Sequence, residues 1–364
     1  MARLSCRTVF FLPGREIPVT NFRLIFIRLI FRRLLPTGVL LFYCLASFNA
    51  HGADLTRLAF GSCNHSHLPQ PMWSIIESHR PDLFLWAGDV IYADTEDPEE
   101  MKRKYQEQLS KPAYQQFLNS VPVAGIWDDH DFGNNDSGKN NPIKKQSQQL
   151  FLDFLGEPAD SVRRQREGIY TSRTYGSGER QVRLILLDTR YHRDLPGSGR
   201  ADVLGKQQWQ WLEQQFATGE PVINFIVSGF SVLSDQLPYA EEWQDFKWAR
   251  KKLFRLIEKY KVPGVIFLTG DRHFSAHLAE SERGRIYHEF MSSGLTHYMR
   301  RKWVSRVFRY YYGVEFSYFG RNFSMLDINW DNTPVQLTFS VYDDSNIKQV
   351  EKNLYLHGRY WTDQ

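Results

Sequence analysis

Cysteine is scarce in this 364-residue chain, which excludes a fold held together by several disulfides. The three cysteines are Cys6, Cys44 and Cys63, and the first two lie in an N-terminal segment that we expect to be removed. Cys63 would then be the single thiol of the mature protein, unable to form an internal disulfide. Because Cys63 follows an apolar run, we interpret it as a metal ligand; a buried, inert thiol is the alternative.

Acidic residues are almost absent from residues 1–53, which contain seven arginines and one glutamate, Glu16. An apolar run, residues 34–48, follows the arginines, and small residues come directly after it. This order is typical of a secretory signal peptide, so we predict an exported protein, periplasmic or extracellular. A retained membrane anchor is the alternative. Residues 54–364 are expected to form a single domain.

The charge balance gives no support to nucleic-acid binding. The whole chain carries a net charge of +4, but residues 54–364 keep 38 of its 45 basic side chains and 40 of its 41 acidic ones, a net charge of −2. The composition, 42% hydrophobic and 24% charged, is that of a globular protein. Internal repeats and low-complexity linkers are absent from the sequence, which excludes a repeat array.

Short apolar runs that stop at a potential metal ligand recur along the chain. The first residues after these five runs are Cys63, Asp89, Asp128, Asp188 and Asp271. Such runs are typical of buried strands, and α/β folds bind their ligands at the carboxyl ends of strands. Carboxylates that converge in a poorly solvated place repel one another unless cations lie among them. The pattern therefore predicts a metal centre.

Strand and helix patterns alternate first, and short strands dominate from Arg285 onward. Strands are predicted over 58–62, 82–87, 123–127, 169–174, 182–187, 222–227, 265–269, 286–291, 324–328, 335–342 and 353–357. Helices are predicted over 71–79, 98–109, 111–119, 205–216 and 245–260, and another with Pro142 at its first position. Residues 128–141 read as a long polar loop. This succession favours an α/β fold of two stacked mixed sheets with outer helices.

Six motifs occur in the order typical of one enzyme family: Gly61–Asn64, Gln70–Trp73, Gly88–Tyr92, Trp127–Asn135, Leu187–Arg190 and Gly270–His273. Together they resemble the PhoD-like (alkaline phosphatase D) branch of the metallophosphoesterases, over about residues 57–340. The resemblance implies a four-layer α/β/β/α sandwich. It also implies a secreted, metal-dependent phosphoric ester hydrolase in which a metal-activated hydroxide attacks phosphorus.

The resemblance further implies two groups of metal ligands. The group for iron(III) is Cys63, Asp89, Tyr92 and His273, with Asp89 bridging two metals. The group for one or two calcium ions is Asp129, Asn134 and Asp271, where Asn135 could replace Asn134. Ligand chemistry agrees, because thiolate and phenolate suit a transition metal, and carboxylate and amide oxygens suit calcium or magnesium; other divalent metals are the alternative. We expect Asp271 and His273 to alternate on an extended segment.

Three residues are candidates for catalysis. His130 would orient the substrate or protonate the leaving group. Arg190 would clamp a phosphate oxygen, unless it forms a salt bridge with Asp188 or Asp194. His297 is our preference among several histidines that could line the pocket.

Residues 299–312 carry aromatic residues at helical spacing and basic residues on the opposite side. Such a helix could contact an anionic membrane or a phospholipid headgroup, so a phospholipid-directed phosphodiesterase is the alternative to a phosphatase of small phosphate esters. A surface helix that packs its aromatic face inward is the simpler interpretation. Outside the enzymes, the alternative is an inert metal- or phosphate-binding protein. The oligomeric state stays open.

Overall fold

The computed structural model describes residues 53–219, 221–234, 241–300 and 314–363, in which the chain forms fourteen strands and eight α-helices. Residues 1–52 and 301–313 lie outside these ranges. They include nearly all of the predicted signal peptide, 1–53, and most of the predicted basic helix, 299–312. Both interpretations therefore stay predictions.

Strands and helices alternate as far as the seventh strand, and within the described ranges strands alone follow it. The strands are β1 Arg57–Gly61, β2 Leu83–Ala87, β3 Val123–Ile126, β4 Thr171–Tyr175, β5 Val182–Leu186, β6 Ile223–Ser228, β7 Val265–Thr269, β8 Ser275–Glu282, β9 Arg285–Ser292, β10 Val314–Tyr318, β11 Phe323–Asn329, β12 Val335–Tyr342, β13 Lys348–His357 and β14 Tyr360–Thr362. The α-helices are α1 Met72–Ser78, α2 Pro98–Leu109, α3 Pro112–Ser120, α4 Asp129–Phe132, α5 Lys144–Phe154, α6 Val162–Gln165, α7 Gly205–Ala217 and α8 Lys247–Lys259.

The strands form two mixed sheets of seven strands each. The order is β14-β13-β12-β11-β1-β2-β3 in the first sheet and β10-β8-β9-β7-β6-β5-β4 in the second. Strands β1, β2 and β3 run parallel, as do β5, β6, β7 and β9, whereas the remaining pairs are antiparallel. Parallel strands end at the same edge of their sheet, so the loops after β1, β2 and β3 meet at one edge of the first sheet, and those after β5, β6, β7 and β9 at one edge of the second.

Alternating side chains place the two sheets face to face. Leu184 and Leu186 of β5 join a buried cluster that includes the first sheet, whereas Ile185 packs with α7 and α8 in a second cluster. Phe290 of β9 stacks on Phe339 of β12 between the sheets, with ring centroids 4.2 Å apart. Helices α1, α2, α3 and α5 pack against the first sheet. This is the predicted four-layer α/β/β/α sandwich.

Local sequence explains where α2 begins. The Asp97 carboxylate accepts a hydrogen bond from the Glu99 N–H at 3.0 Å, and Pro98 occupies the first helical position, where no N–H is needed. Glu99 and Glu100 then lie at the positive end of the helix dipole. Met101 and Tyr105, four residues apart on one face, are buried against the sheet. The bounds agree with those predicted from the sequence.

Most predicted elements agree with the structure to within two residues, but several predictions are wrong. The helix after Pro142 begins at Lys144, because the Asn141 side chain accepts the Ile143 N–H at 3.0 Å and holds a turn there. The predicted loop 128–141 contains the one-turn helix α4. Strands β8, β10 and β14 were not predicted, and β13 begins five residues earlier than expected. In the described ranges, no helix is both long and apolar enough to cross a membrane.

Phe117 of α3 provides a test of how the outer helices pack. Its ring is fully buried against Trp73 and Phe84, so Phe117→Ala should lower the free energy of unfolding by about 3–5 kcal/mol through the cavity it leaves. The next residue, Leu118, is 39% exposed, and Leu118→Ala should cost about 1 kcal/mol or less. Urea unfolding followed by tryptophan fluorescence measures both. Equal losses would contradict the packing of α3.

Candidate metal centre

The carboxyl ends of parallel strands from both sheets bring four aspartates together. Asp89 follows β2, Asp128 and Asp129 follow β3, and Asp271 follows β7. One oxygen from each of the four carboxylates lies within 4.8 Å of the other three. Asp128 was not among the predicted ligands, although it stands at the end of one of the apolar runs. We call these four residues the carboxylate cluster.

The backbone at these strand ends adopts an unusual conformation. The φ angles of Cys63, Asp89, Asp271 and His273 are all positive, at 60°, 50°, 72° and 63°. Left-handed conformation costs an L-residue about 1–2 kcal/mol, and such residues concentrate at functional sites. The predicted extended segment over 271–273 is therefore wrong. A tight turn, not a strand, presents Asp271 and His273 to the cluster.

The loops after β2 and β3 approach each other closely. A Cβ atom on Gly88 would lie 2.7 Å from the Cβ of Asp128, so a side chain at this position would push the two loops apart. Asp131 fixes the same loops, because its carboxylate accepts hydrogen bonds from the N–H of Val90 at 2.9 Å and of Asp128 at 2.6 Å. Asp131 is thus a positioning residue, which the sequence analysis did not identify.

Each member of the cluster has a buried oxygen that no hydrogen bond satisfies: Asp89 Oδ1, Asp128 Oδ2, Asp129 Oδ1 and Asp271 Oδ2. Burial, together with the neighbouring Cys63 and Asp129, raises the pKa of Asp89 well above its usual range. Burial likewise raises the pKa of Asp128 to about 7, although Arg190 opposes this shift. Buried polar atoms are normally paired. The unpaired oxygens therefore fit metal cations, which would allow these carboxylates to ionise.

Cys63, Tyr92 and His273 adjoin the cluster. The Cys63 Sγ lies 3.3 Å from Asp89 Oδ2, and the Tyr92 hydroxyl lies 2.9 Å from His273 Nε2. Burial raises the pKa of both Cys63 and Tyr92, so a thiolate and a phenolate would need a cation here. The structure thus brings the four predicted iron ligands together. Their binding of iron stays a prediction.

Asn134 lies in a different environment from the other predicted ligands. Its side chain is exposed, and its amide donates a hydrogen bond to Glu96 Oε1 at 3.2 Å. This contact gives no support to the predicted calcium ligation by Asn134. Asp129 and Asp271, from the same predicted group, both lie in the carboxylate cluster.

Arg190 is fully buried and is held by acidic residues. Its Nε lies 2.6 Å from Asp128 Oδ1, its Nη2 lies 3.6 Å from Asp129 Oδ1, and its Nη1 pairs with Glu241. Glu241 also pairs with Arg193. Asp188, a predicted ion-pair partner, instead accepts the Arg190 backbone N–H at 2.9 Å. This placement favours an ion pair over the phosphate clamp, but with partners other than the predicted Asp188 and Asp194.

His130 lies next to the cluster and is oriented by Asp94. Its Nδ1 is 2.6 Å from Asp94 Oδ1, and a ring nitrogen lies within 4.8 Å of oxygens of Asp89 and Asp129. Burial opposes protonation of His130, but the hydrogen bond to Asp94 and the charge of Asp129 outweigh it and raise the pKa to about 9. Sequence reasoning missed Asp94. Its only signal was a carboxylate shortly after the Gly88-Asp89 motif.

His297 belongs to a group of aromatic rings that contact one another beside the cluster. Its ring centroid is 3.8 Å from that of His273 and 4.7 Å from that of His65, which is 3.9 Å from the Tyr92 ring. Burial and neighbouring histidines lower the pKa of His65 and of His297 to about 4, so both are neutral at pH 7. The structure places His297 at the site, and its catalytic role stays a prediction.

A family model described as PhoD-like phosphatase matches residues 58–311, more than half of the chain. The chain belongs to the PhoD-like phosphatase family. This confirms the resemblance found in the six motifs, and it makes the protein a phosphoric ester hydrolase. Metal dependence agrees with the carboxylate cluster. None of the curated proteins matches this PhoD-like phosphatase significantly.

Solved structures of two phosphatases share the fold of this PhoD-like phosphatase. One, described as the structure of PhoD, has a TM-score of 0.65 and 16% sequence identity, and the match covers 82% of this chain and 72% of that one. The other is the purple acid phosphatase PPD1 from yellow lupin (Lupinus luteus) seeds. It has a TM-score of 0.55 and 13% identity, and the match covers 85% of this chain and 55% of the lupin protein.

Replacement of Arg190 separates the ion pair from the phosphate clamp. Arg190→Gln leaves Asp128 without its cation and leaves Glu241 with Arg193 alone, so the free energy of unfolding of the metal-free protein should fall by about 3–5 kcal/mol. Arg57→Gln breaks a half-exposed pair with Asp327 and should cost at most about 1 kcal/mol. Denaturant unfolding in the presence of a chelator measures both. A raised KM with unchanged stability would support the clamp instead.

Replacement of Asp94 tests the orientation of His130. Asp94→Asn should lower the pKa of His130 in the metal-free protein from about 9 towards about 6.5, as measured by NMR titration of the ring protons. The pKa of His130 is higher in the folded protein than in the unfolded chain. The pair with Asp94 therefore stabilises the fold fully below about pH 6.5, and this stabilisation is lost as the pH rises through about 9. The variant should show less of this dependence, because Asp129 still raises the pKa of His130.

The control for Asp94→Asn is Glu96→Gln, an exposed carboxylate two residues away. It should leave the titration of His130 unchanged. If Asp94→Asn also left the titration unchanged, the hydrogen bond between Asp94 and His130 would not be what raises this pKa.

Proposed function

We propose that this protein is an exported phosphatase that hydrolyses small phosphate esters with metal ions held by Asp89, Asp129 and Asp271. The observation that supports the proposal is the carboxylate cluster, whose unpaired oxygens converge from strand ends of both sheets. Metal ions in such a centre activate water for attack on phosphorus and offset charge on the phosphoryl oxygens. Export rests on the composition of residues 1–53 alone.

The chain itself would supply the proton for the leaving group. His130 is protonated at neutral pH in the metal-free protein, and Asp94 occupies its Nδ1. The Nε2–H then remains to bind a phosphoryl oxygen or to protonate the leaving alkoxide. His65 and His297 are neutral, so each can donate an N–H to the substrate without adding positive charge to the site.

The donor atoms divide the centre into two halves. Cys63, Tyr92 and His273 offer sulfur, phenolate oxygen and nitrogen, which suit a transition metal such as iron(III). Asp129 and Asp271 offer oxygens alone, which suit calcium. Asp89 lies between the two sets, since it contacts Cys63 and belongs to the carboxylate cluster. We therefore propose that the first set would hold iron(III) and the second calcium, and that Asp89 would contribute to both.

A phosphodiesterase acting on phospholipid headgroups is the second candidate. It rests on the basic and aromatic residues 299–312, and one contact favours it: the Met299 N–H donates a hydrogen bond to the His273 carbonyl oxygen at 2.7 Å. This stretch therefore starts beside the metal centre. Comparing hydrolysis of p-nitrophenyl phosphate, bis-p-nitrophenyl phosphate and phosphatidylcholine vesicles separates the two candidates, because each predicts a different preferred substrate.

Asp89→Asn tests the proposed function directly. Replacing a residue that only orients a metal ligand costs roughly 10- to 100-fold in activity. Loss of Asp89, a proposed ligand of both metals, should lower kcat by more than that, and the metal content measured by mass spectrometry should fall with it. Asp82→Asn is the control. Asp82 immediately precedes β2, at the end of the strand away from Asp89, and it accepts hydrogen bonds from Thr56. It should keep both metal and activity. Full activity of Asp89→Asn would end the proposal.

A further inference from the structure

Ser293, the first residue after β9, lies between two of the proposed metal ligands. Its Oγ is 2.9 Å from the Cys63 Sγ and 2.6 Å from the backbone nitrogen of His273. The side chain is fully buried. One hydroxyl thus touches a ligand that follows β1 in the first sheet and a ligand that follows β7 in the second.

The direction of these two hydrogen bonds follows from the atoms involved. The His273 backbone N–H can only donate, so the Ser293 oxygen accepts there. The Cys63 thiol has a second neighbour, Asp89 Oδ2, to which its S–H can donate at 3.3 Å. Between Cys63 and Ser293 either atom could donate to a thiol, but a Cys63 thiolate can only accept, so in that form the Ser293 hydroxyl proton is directed at the sulfur. A cation between Cys63 and Asp89 would replace the thiol proton and leave the bond from Ser293 in place.

Backbone hydrogen bonds hold Ser293 in this position. The N–H groups of Gly294 and Leu295 both donate to the Ser62 carbonyl oxygen at 3.1 Å. Those of Thr296 and His297 donate to the Cys63 carbonyl oxygen at 3.2 and 3.0 Å. Four successive N–H groups of the loop after β9 thus bond to two successive carbonyl oxygens of the loop that carries Cys63. These bonds leave Ser293 little freedom to move away from the Cys63 sulfur.

Asn322 fixes the loop from the other side. It is fully buried, and its Nδ2 donates to the Ser293 carbonyl oxygen at 3.2 Å and to the Gly320 carbonyl oxygen at 2.8 Å. Its Oδ1 accepts from the Ser275 hydroxyl at 2.6 Å. The loop is thus tied to β8 as well as to the loop after β1. Hydrogen bonds of this kind, made by residues that do not bind the metal themselves, keep metal ligands in the orientation that binding needs.

We infer that Ser293 is a positioning residue that holds Cys63 and His273 together and donates its hydroxyl proton to the Cys63 sulfur. The inference rests on the proposed role of Cys63 as a ligand. A hydrogen bond to a thiolate withdraws electron density from the sulfur, so it moves the sulfur-to-metal charge-transfer band to shorter wavelength. Without the bond the sulfur is a stronger electron donor, and the band should move to longer wavelength.

Cobalt(II) gives a readout that does not depend on the native metal or on activity. The purified protein is stripped with a chelator and titrated with Co²⁺, and the near-ultraviolet band from thiolate to cobalt is recorded. Two variants of equal shape, Ser293→Thr and Ser293→Val, differ only in the hydroxyl. We expect Ser293→Thr to keep the wild-type band. Ser293→Val should shift the band to longer wavelength and weaken Co²⁺ binding about 10- to 100-fold.

The matched control is Ser62→Ala. The Ser62 hydroxyl is also buried, and it can donate to the Ser292 carbonyl oxygen at 3.1 Å or, at a longer 3.5 Å, to the same sulfur, so its loss should shift the band less than Ser293→Val does. Equal bands and equal Co²⁺ affinities for Ser293→Thr and Ser293→Val would overturn the inference. Cobalt binding by the wild type without a thiolate band would also overturn it, because Cys63 would not be a ligand. That second result would leave the proposed hydrolysis, tested by Asp89→Asn, intact.

Discussion

Repulsion among the carboxylates of Asp89, Asp128, Asp129 and Asp271 is the constraint on which the rest of the structure depends. Their oxygens lie within 4.8 Å of one another, where little water is present to screen them. Left to itself, such a group would hold protons or move apart. Hydrogen bonds from the N–H groups of Val90 and Asp128 to Asp131 hold the loops after β2 and β3 together, so protons balance the charge in the metal-free protein and cations would balance it in the metal-bound one.

The protein supplies part of that balance itself. The buried guanidinium of Arg190 faces Asp128 and Asp129. Glu241 pairs with Arg190 from the other side and also pairs with Arg193. Arg190 therefore acts as a fixed cation on one side of the cluster. Asp89, by contrast, contacts the Cys63 sulfur at 3.3 Å.

Strain at the strand ends indicates how the fold holds this arrangement. Four residues next to or in the cluster have left-handed backbone conformations, which the isolated chain would avoid. The two packed sheets provide the stabilisation, because burial of the core between them offsets the local cost. A site built from turns at the end of a rigid sandwich can position side chains from both sheets against one another. Neither sheet alone carries a complete set of ligands.

The order of strands and helices could be predicted from the sequence, because buried strands are continuous apolar runs and helices such as α2 have explicit start signals. Strand β8 could not be predicted, because its polar residues hide the alternation and pairing with β9 and β10 stabilises it. Within the site, the sequence places Asp89, Asp129, Asp271 and His273 after predicted strands, and the structure brings them together; metal binding by these residues stays a prediction. Motif spacing identifies the strand end on which each stands.

Residue types and their places at strand ends are local properties, so the sequence by itself determined that carboxylates, a thiol and histidines would meet at one edge of an α/β sandwich. Only the tertiary structure decided which of them touch. Arg190 pairs with Asp128, 62 positions away, and Asp94 with His130, 36 positions away. Ser293 reaches Cys63 across 230 positions. The reason is physical: such contacts depend on distances between loops of separate strands, which are fixed only when the two sheets have packed.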